Sequence, residues 1–136
     1  MQHDQFIGQV QNRAQLPSRG DAEAATRATL ETLGERIPEN LAENLAGQLP
    51  QEIAEHLRRT VTLGGAGTGE SFGRDEFIHR VAQRSRTGEP EATYRSRVVF
   101  EVLREATVGG VVHNVRESLP DDLRVLVDAG STGSLE

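Results

Sequence analysis

The chain of 136 residues contains no cysteine. That absence removes disulfides, thiolate metal sites and cysteine nucleophiles together, and makes a reducing intracellular compartment the expected location. Lysine is missing as well, because all 15 basic residues are arginine, and so is tryptophan. One tyrosine and four phenylalanines bring the aromatic share to only 4%, so any core must be built from Leu, Val, Ile and Ala. No apolar run approaches the roughly 20 residues needed to cross a bilayer. The start, Met1-Gln2-His3-Asp4, lacks the basic and apolar regions of a signal peptide. The expectation is a cytoplasmic protein without membrane association.

The charge that is present is mostly negative: 21 acidic residues against 15 arginines give a net charge of −6. Residues 1–60 hold nine acids and six arginines, whereas residues 72–127 hold nine of each. An acidic surplus favours solubility and works against binding duplex nucleic acid, which is held mainly by basic neutralisation of phosphates. Nucleic acid is therefore not an expected partner, although a local arginine patch is compatible with this balance.

Against that spare composition stands one conspicuous pattern. Asp4-Gln-Phe-Ile-Gly-Gln-Val10 aligns with Asp75-Glu-Phe-Ile-His-Arg-Val81 at an offset of 71, which also pairs Arg13 with Arg84. Further along, an offset of 70 pairs Arg27 with Arg97, Glu31 with Glu101, Leu33 with Leu103, Glu35 with Glu105 and Leu49-Pro50 with Leu119-Pro120. A duplication of this length implies one supersecondary unit that needs its copy to bury its apolar face, and a half of about 55 residues hides too little surface to be stable alone.

Each half reads as roughly four helices. Phe6, Ile7 and Val10, like Phe77, Ile78 and Val81, share one face of a short helix. Ser18 to Asp21 supplies capping side chains for a long helix carrying Leu30, Leu33 and Ile37; its counterpart starts at Glu89-Pro90 and carries Val99, Val102 and Leu103. Leu41, Leu45 and Leu49 match Val111, Val115 and Leu119, and Pro50 and Pro120 then open a fourth helix at its first position. Thr60-Val-Thr-Leu63 is the one strand-like stretch. The predicted fold is all-α: a tandem duplication of a roughly four-helix unit forming one compact domain over 1–128. Repeat 1 covers 3–62, a glycine-rich linker 63–73, repeat 2 74–128 and a flexible tail 129–136. The core is expected to include Phe6, Leu30, Leu33, Leu45, Phe77, Phe100, Leu103 and Val115.

Chemistry-bearing motifs are few. Gly64 to Ser71 has the glycine and hydroxyl spacing of a phosphate loop, but Glu70 stands where the lysine belongs and would repel phosphate, so the segment reads as a linker. Glu76-Phe-Ile-His79 has metal-pair spacing on a helix, but the matching positions of the first half are Gln5 and Gly8, and His79 should face water. Glu31 with Glu35 and Glu101 with Glu105, four residues apart, read as solvated pairs balanced by Arg27, Arg36, Arg97 or Arg104. No Ser, His and acid stand at a catalytic spacing. No cofactor, metal site or catalytic residue is expected, and the chain is read as a non-enzyme. Arg80, Arg84, Arg86, Arg95 and Arg97, with Tyr94 among them, are the candidate anion- or partner-binding group, because guanidinium forks suit phosphate and carboxylate.

The repeated Asp-x-Phe-Ile start, Thr32-Leu-Gly-Glu-Arg36 and Gln48-Leu-Pro-Gln-Glu52 resemble the prokaryotic domain-of-unknown-function family 2267, from Asp4 through Val127. The lysine-free composition is similar to that of members from halophilic archaea. The resemblance implies an all-helical tandem repeat without an assigned activity, and it brings no catalytic residues. Val108-Gly-Gly110 opposite Pro38-Glu-Asn40 departs from the repeat. The expected function is a non-catalytic helical interaction or scaffold module that binds a protein partner or self-associates; the alternative is nucleic-acid or anionic-ligand binding through the second-repeat arginines.

Overall fold

The computed structural model describes residues 1–64 and 71–132, with backbone alone for 62–64. Among them are eight helices and no strand: α1 (His3–Arg13), α2 (Arg19–Arg36), α3 (Glu39–Ala46), α4 (Gln51–Gly64), α5 (Arg74–Ser85), α6 (Glu89–Ala106), α7 (Val111–Glu117) and α8 (Asp121–Ala129). The two sets of four follow the offsets of 71 and 70. The phosphate-loop-like segment and the middle of the linker, residues 65–70, lie outside the described residues.

Local chemistry sets the boundaries. The Ser18 hydroxyl accepts from the Asp21 amide at 3.1 Å and caps α2, satisfying a donor that the first turn leaves free. Pro90 lies in the first turn of α6 behind the cap Gly88. Pro50 and Pro120 stand one place earlier than the sequence suggests: each precedes its helix, and its carbonyl accepts the first amides of α4 or α8. Thr60 to Leu63, the strand-like stretch, is helical in α4. Packing overrides β propensity there, because Val61 is buried and the Thr60 hydroxyl donates to the Glu31 carbonyl at 2.7 Å.

α2 packs on α1, α4, α5 and α6 and is enclosed on nearly all sides. That position explains its composition of alanine and threonine rather than a clean apolar stripe. Thr26, Thr29 and Thr32 are fully buried, and each donates its hydroxyl to the carbonyl four residues back, so none of these three hydroxyls is left unpaired. All eight expected core side chains belong to a single buried cluster drawn from both halves, with the Phe77 and Phe100 rings 5.9 Å apart.

Gly34 allows the tightest crossing in that core. A Cβ there would sit 2.6 Å from the Leu57 carbonyl oxygen and against the Thr60 hydroxyl, so only glycine lets α2 and α4 approach this closely.

The halves grip each other reciprocally. Arg13 on α1 reaches α6, where it donates to Glu101 at 2.8 Å and to both oxygens of Glu105 at 2.8 and 2.6 Å. Its counterpart Arg84 on α5 reaches α2, donating to both oxygens of Glu35 at 2.8 Å and lying 3.7 Å from Glu31. The paired glutamates therefore form no ion pair with Arg27, Arg36 or Arg104 as their spacing implied, although the charge of Arg104 still acts on Glu105. Each pair meets an arginine of the other repeat, because the first helix of each half packs on the second helix of the other, and Glu31 is also held by Arg59 of its own repeat. The tail also needs correction: Arg97, 5% exposed, donates to the carbonyls of Gly130 and Thr132, and Glu101 accepts from the Ser131 amide, which ties down the chain through Thr132.

Gly34→Ala is expected to destabilise the protein by about 2–3 kcal/mol despite alanine's better helix propensity, since helix backbone must move. Thermal and urea unfolding measure this. In a double-mutant cycle of Arg84→Gln and Glu35→Gln, the coupling should be about 1–2 kcal/mol, and the Arg13→Gln with Glu105→Gln cycle should be smaller because Glu105 is the more exposed carboxylate.

Candidate functional site

The five second-repeat arginines singled out in the sequence do not form one open patch. Arg84 is committed to Glu31, Glu35 and the Thr32 hydroxyl. Arg80, one turn earlier, donates to Glu35 and Glu76 and lies 4.0 Å from the centre of the Phe72 ring. Arg97 points inward to the Gly130 and Thr132 carbonyls and over the Tyr94 ring. Arg86, in the left-handed conformation that ends α5, is exposed; Arg95 is half-buried. Tyr94, the candidate stacking ring, instead donates its hydroxyl to the carbonyls of Arg13 and Ser131. His79 is half-exposed, with Nδ1 3.4 Å from Glu89, while Glu76 turns to Arg80. The described residues bring no three metal-ligating side chains together.

The electrostatics of the ion pairs follow from their enclosure. Burial alone pushes the Glu35 carboxyl up, but the hydrogen bond and charge of Arg84, helped by Arg80, outweigh it and hold Glu35 below 4.5. At Glu101 burial is again the largest influence and is overcome by the Ser131 hydrogen bonds and Arg13. Glu105 is lowered chiefly by its hydrogen bond to Arg13, and Arg13 in turn is raised, first of all by Glu105. His56 on α4 is lowered from 6.5 by burial and then by Arg59, whose guanidinium lies 3.3 Å from its Nδ1.

A cleft lies elsewhere, where the repeats differ at several neighbouring positions. A cleft of about 710 Å³ sits between the end of α6, α7 and α8, lined by Arg104, Thr107, Val108, Val111, His113 and Asp128 among others. Its origin can be read by comparing the halves at the offset of 70. Gly34 becomes Arg104, which cannot enter the tight crossing; its Nη2 instead spans to the Val127 carbonyl at 2.6 Å, and α6 and α8 meet less extensively than α2 and α4. Ile37, fully buried, becomes Thr107, whose smaller side chain leaves space. Pro38-Glu39-Asn40 becomes Val108-Gly109-Gly110, with both glycines at a φ of 73°, a left-handed turn open to glycine that swings Val108 out to 77% exposure.

The first repeat braces this rim. Gln48, after α3, donates from Nε2 to the Val108 carbonyl at 3.0 Å and accepts the Val108 amide at 2.7 Å. Arg116 on the cleft wall is raised, first by its hydrogen bond to Asp128, which it meets through Nε at 2.8 and 2.9 Å. The reading of motifs passed over this cleft because none of its residues forms one. The signal available was the change of Gly34 to Arg104 and of Ile37 to Thr107 beside the matching Leu33 with Leu103 and Glu35 with Glu105.

These features define an internally duplicated all-helical protein with a reciprocal ion-pair clasp and a cleft in its second repeat. The chain belongs to the family described as "Uncharacterized conserved protein (DUF2267)", whose model matches residues 3–126. No curated protein matches it.

Because Glu35, Glu101 and Glu105 are held below their ordinary value, the unfolded chain takes up protons first as pH falls. The stability they contribute is fully present above about pH 4.5 and is lost as pH drops through the folded values. His56, also lowered, adds a smaller decline starting near pH 6.5. Thermal unfolding should therefore show little change from pH 8 to 7, a shallow fall below 6.5 that His56→Gln removes, and a steep fall below 4.5 that Arg13→Gln combined with Arg84→Gln flattens.

Proposed function

We propose that this protein is a non-catalytic interaction module in which the first repeat serves as framework and the second receives the partner in its cleft. The observation that carries this reading is the divergence at two neighbouring positions of the duplication: where the first repeat has Gly34 at the close crossing of α2 on α4 and the buried Ile37, the second has Arg104 and Thr107 lining a cleft. Its volume lies within the ordinary range of binding clefts, about 300–1,000 Å³, and it combines an aliphatic surface with a few polar groups. The non-catalytic part is supported by the state of those groups. Thr107, the one hydroxyl of the lining, donates to the Leu103 carbonyl at 2.9 Å, and Asp128 is engaged by Arg116, so neither is set up as a nucleophile with its base.

Anion binding through Arg80, Arg84 and Arg97 is the weaker reading, since all three serve internal contacts. We place the module in the cytoplasm of a salt-adapted prokaryote, a reading supported by the cysteine-free and lysine-free chain and its net charge of −6.

Thr107→Ile tests the cleft directly. Residue 107 has φ −126° and ψ 163°, close to the −102° and 157° of Ile37, so isoleucine fits the backbone and restores the plug of the first repeat. With methyl-labelled protein, small amphipathic fragments should shift the Val108, Val111, Val112 and Val127 signals, and Thr107→Ile should weaken this about tenfold while leaving the melting temperature within a few degrees. Fragments that gather on another face, or bind the variant equally well, would refute the assignment.

A further inference from the structure

The lining of the second-repeat cleft specifies more than a volume. Its apolar surface comes chiefly from the exposed Val108, with the largely buried Val111, Val112 and Val127 behind it, and no Phe, Tyr or Trp lines it; His113 is its one ring. Two guanidinium groups line it. That of Arg116 is matched by Asp128 and by Glu117 at 2.7 Å. Arg104 is different: its Nη2 is held by a neutral acceptor, the Val127 carbonyl, and no carboxylate among the described residues forms an ion pair with it. The carbonyl fixes where the guanidinium stands without neutralising it. The remaining N–H groups of the fork are left for a planar anion, the geometry in which arginine meets a carboxylate.

We propose that the cleft binds an aliphatic monocarboxylate, the hydrocarbon lying on the four valines and the carboxylate meeting Arg104. This rests on the cleft being the recognition site. A single guanidinium without an ion-pair partner among the described residues, its charge acting on Glu105 without a contact, favours a single negative charge over a di- or triphosphate, and Asp128 in the same wall disfavours a second anionic group further along. Two sources present this chemistry: a free medium-chain acid, or the C-terminus of a protein ending in an aliphatic residue.

The test is calorimetric titration of the full chain with octanoate and octanol, and with N-acetyl-Val-Leu as free acid and as amide. The expected result is that at least one acid binds about five- to tenfold more tightly than its neutral partner, and whichever acid binds more tightly identifies the source. That preference should disappear in Arg104→Gln and persist in Arg104→Lys. On wild-type protein it should also shrink as salt rises from 50 to 500 mM, while octanol binding does not weaken; this measurement stands even if the Arg104 variants fold poorly. If acids and neutral analogues bind equally and both are lost in Thr107→Ile, the cleft remains the recognition site and the carboxylate assignment is wrong. If none of the four probes binds while the fragments still map to the valines, the aliphatic carboxylate class is again wrong. If neither probes nor fragments reach the valines, both assignments fall.

Discussion

Everything in this fold depends on the reciprocal clasp of Arg13 on Glu101 and Glu105 and of Arg84 on Glu31 and Glu35. Apolar burial drives the two halves together, but its attraction is non-directional and specifies their facing less sharply than directional hydrogen bonds do. A bidentate guanidinium is directional. Each fork donates to its carboxylate only when the first helix of one repeat lies along the second helix of the other, so the two clasps fix how the repeats face each other. They lie at the edge of the core rather than within it, the arginines 23% and 27% exposed. There the desolvation that makes buried pairs expensive is only partial.

Around that clasp the two halves solve the same problems with different residues. The carbonyl of Arg84, at the end of α5, is held by Arg27 of α2, while the carbonyl of Arg13, at the end of α1, is held by Tyr94 of α6. With Tyr94 in that role, Arg97, the counterpart of Arg27, turns to the Gly130 and Thr132 carbonyls instead. Phe72 is treated similarly: its carbonyl accepts from Arg36 at 2.6 Å and its ring lies under Arg80, so the chain arriving from the linker is secured before α5 begins. Asp122 completes the junction by accepting the Arg74 amide.

The all-helical class, the duplication and the eight named core residues were legible in the sequence because helical periodicity and repeat register are local or self-comparing signals. The partners of the glutamate pairs were not. Spacing along one helix offers only residues three or four positions away, such as Arg27 or Arg104, whereas Arg84 and Arg13 arrive from another helix whose register no local pattern encodes. The arginine group of the second repeat looked available for the same reason: proximity in sequence carries no information about Glu35 or the Gly130 carbonyl. Thr60 to Leu63 misled because β-branched residues report what fits a half-buried surface, and a helix against α2 provides one. The cleft was written only as a difference between copies, Gly34 against Arg104 and Ile37 against Thr107.

That difference has a consequence for stoichiometry. Gene duplication ordinarily hands a protein two equivalent positions, and with them bivalence and the chance of cross-linking whatever it meets. Here Gly34 and Ile37 stand where the second repeat has Arg104 and Thr107, so on the proposed reading an occupant of the second-repeat cleft would be taken up once per chain. The first repeat, through Gln48, lends its rigidity to the rim of that cleft.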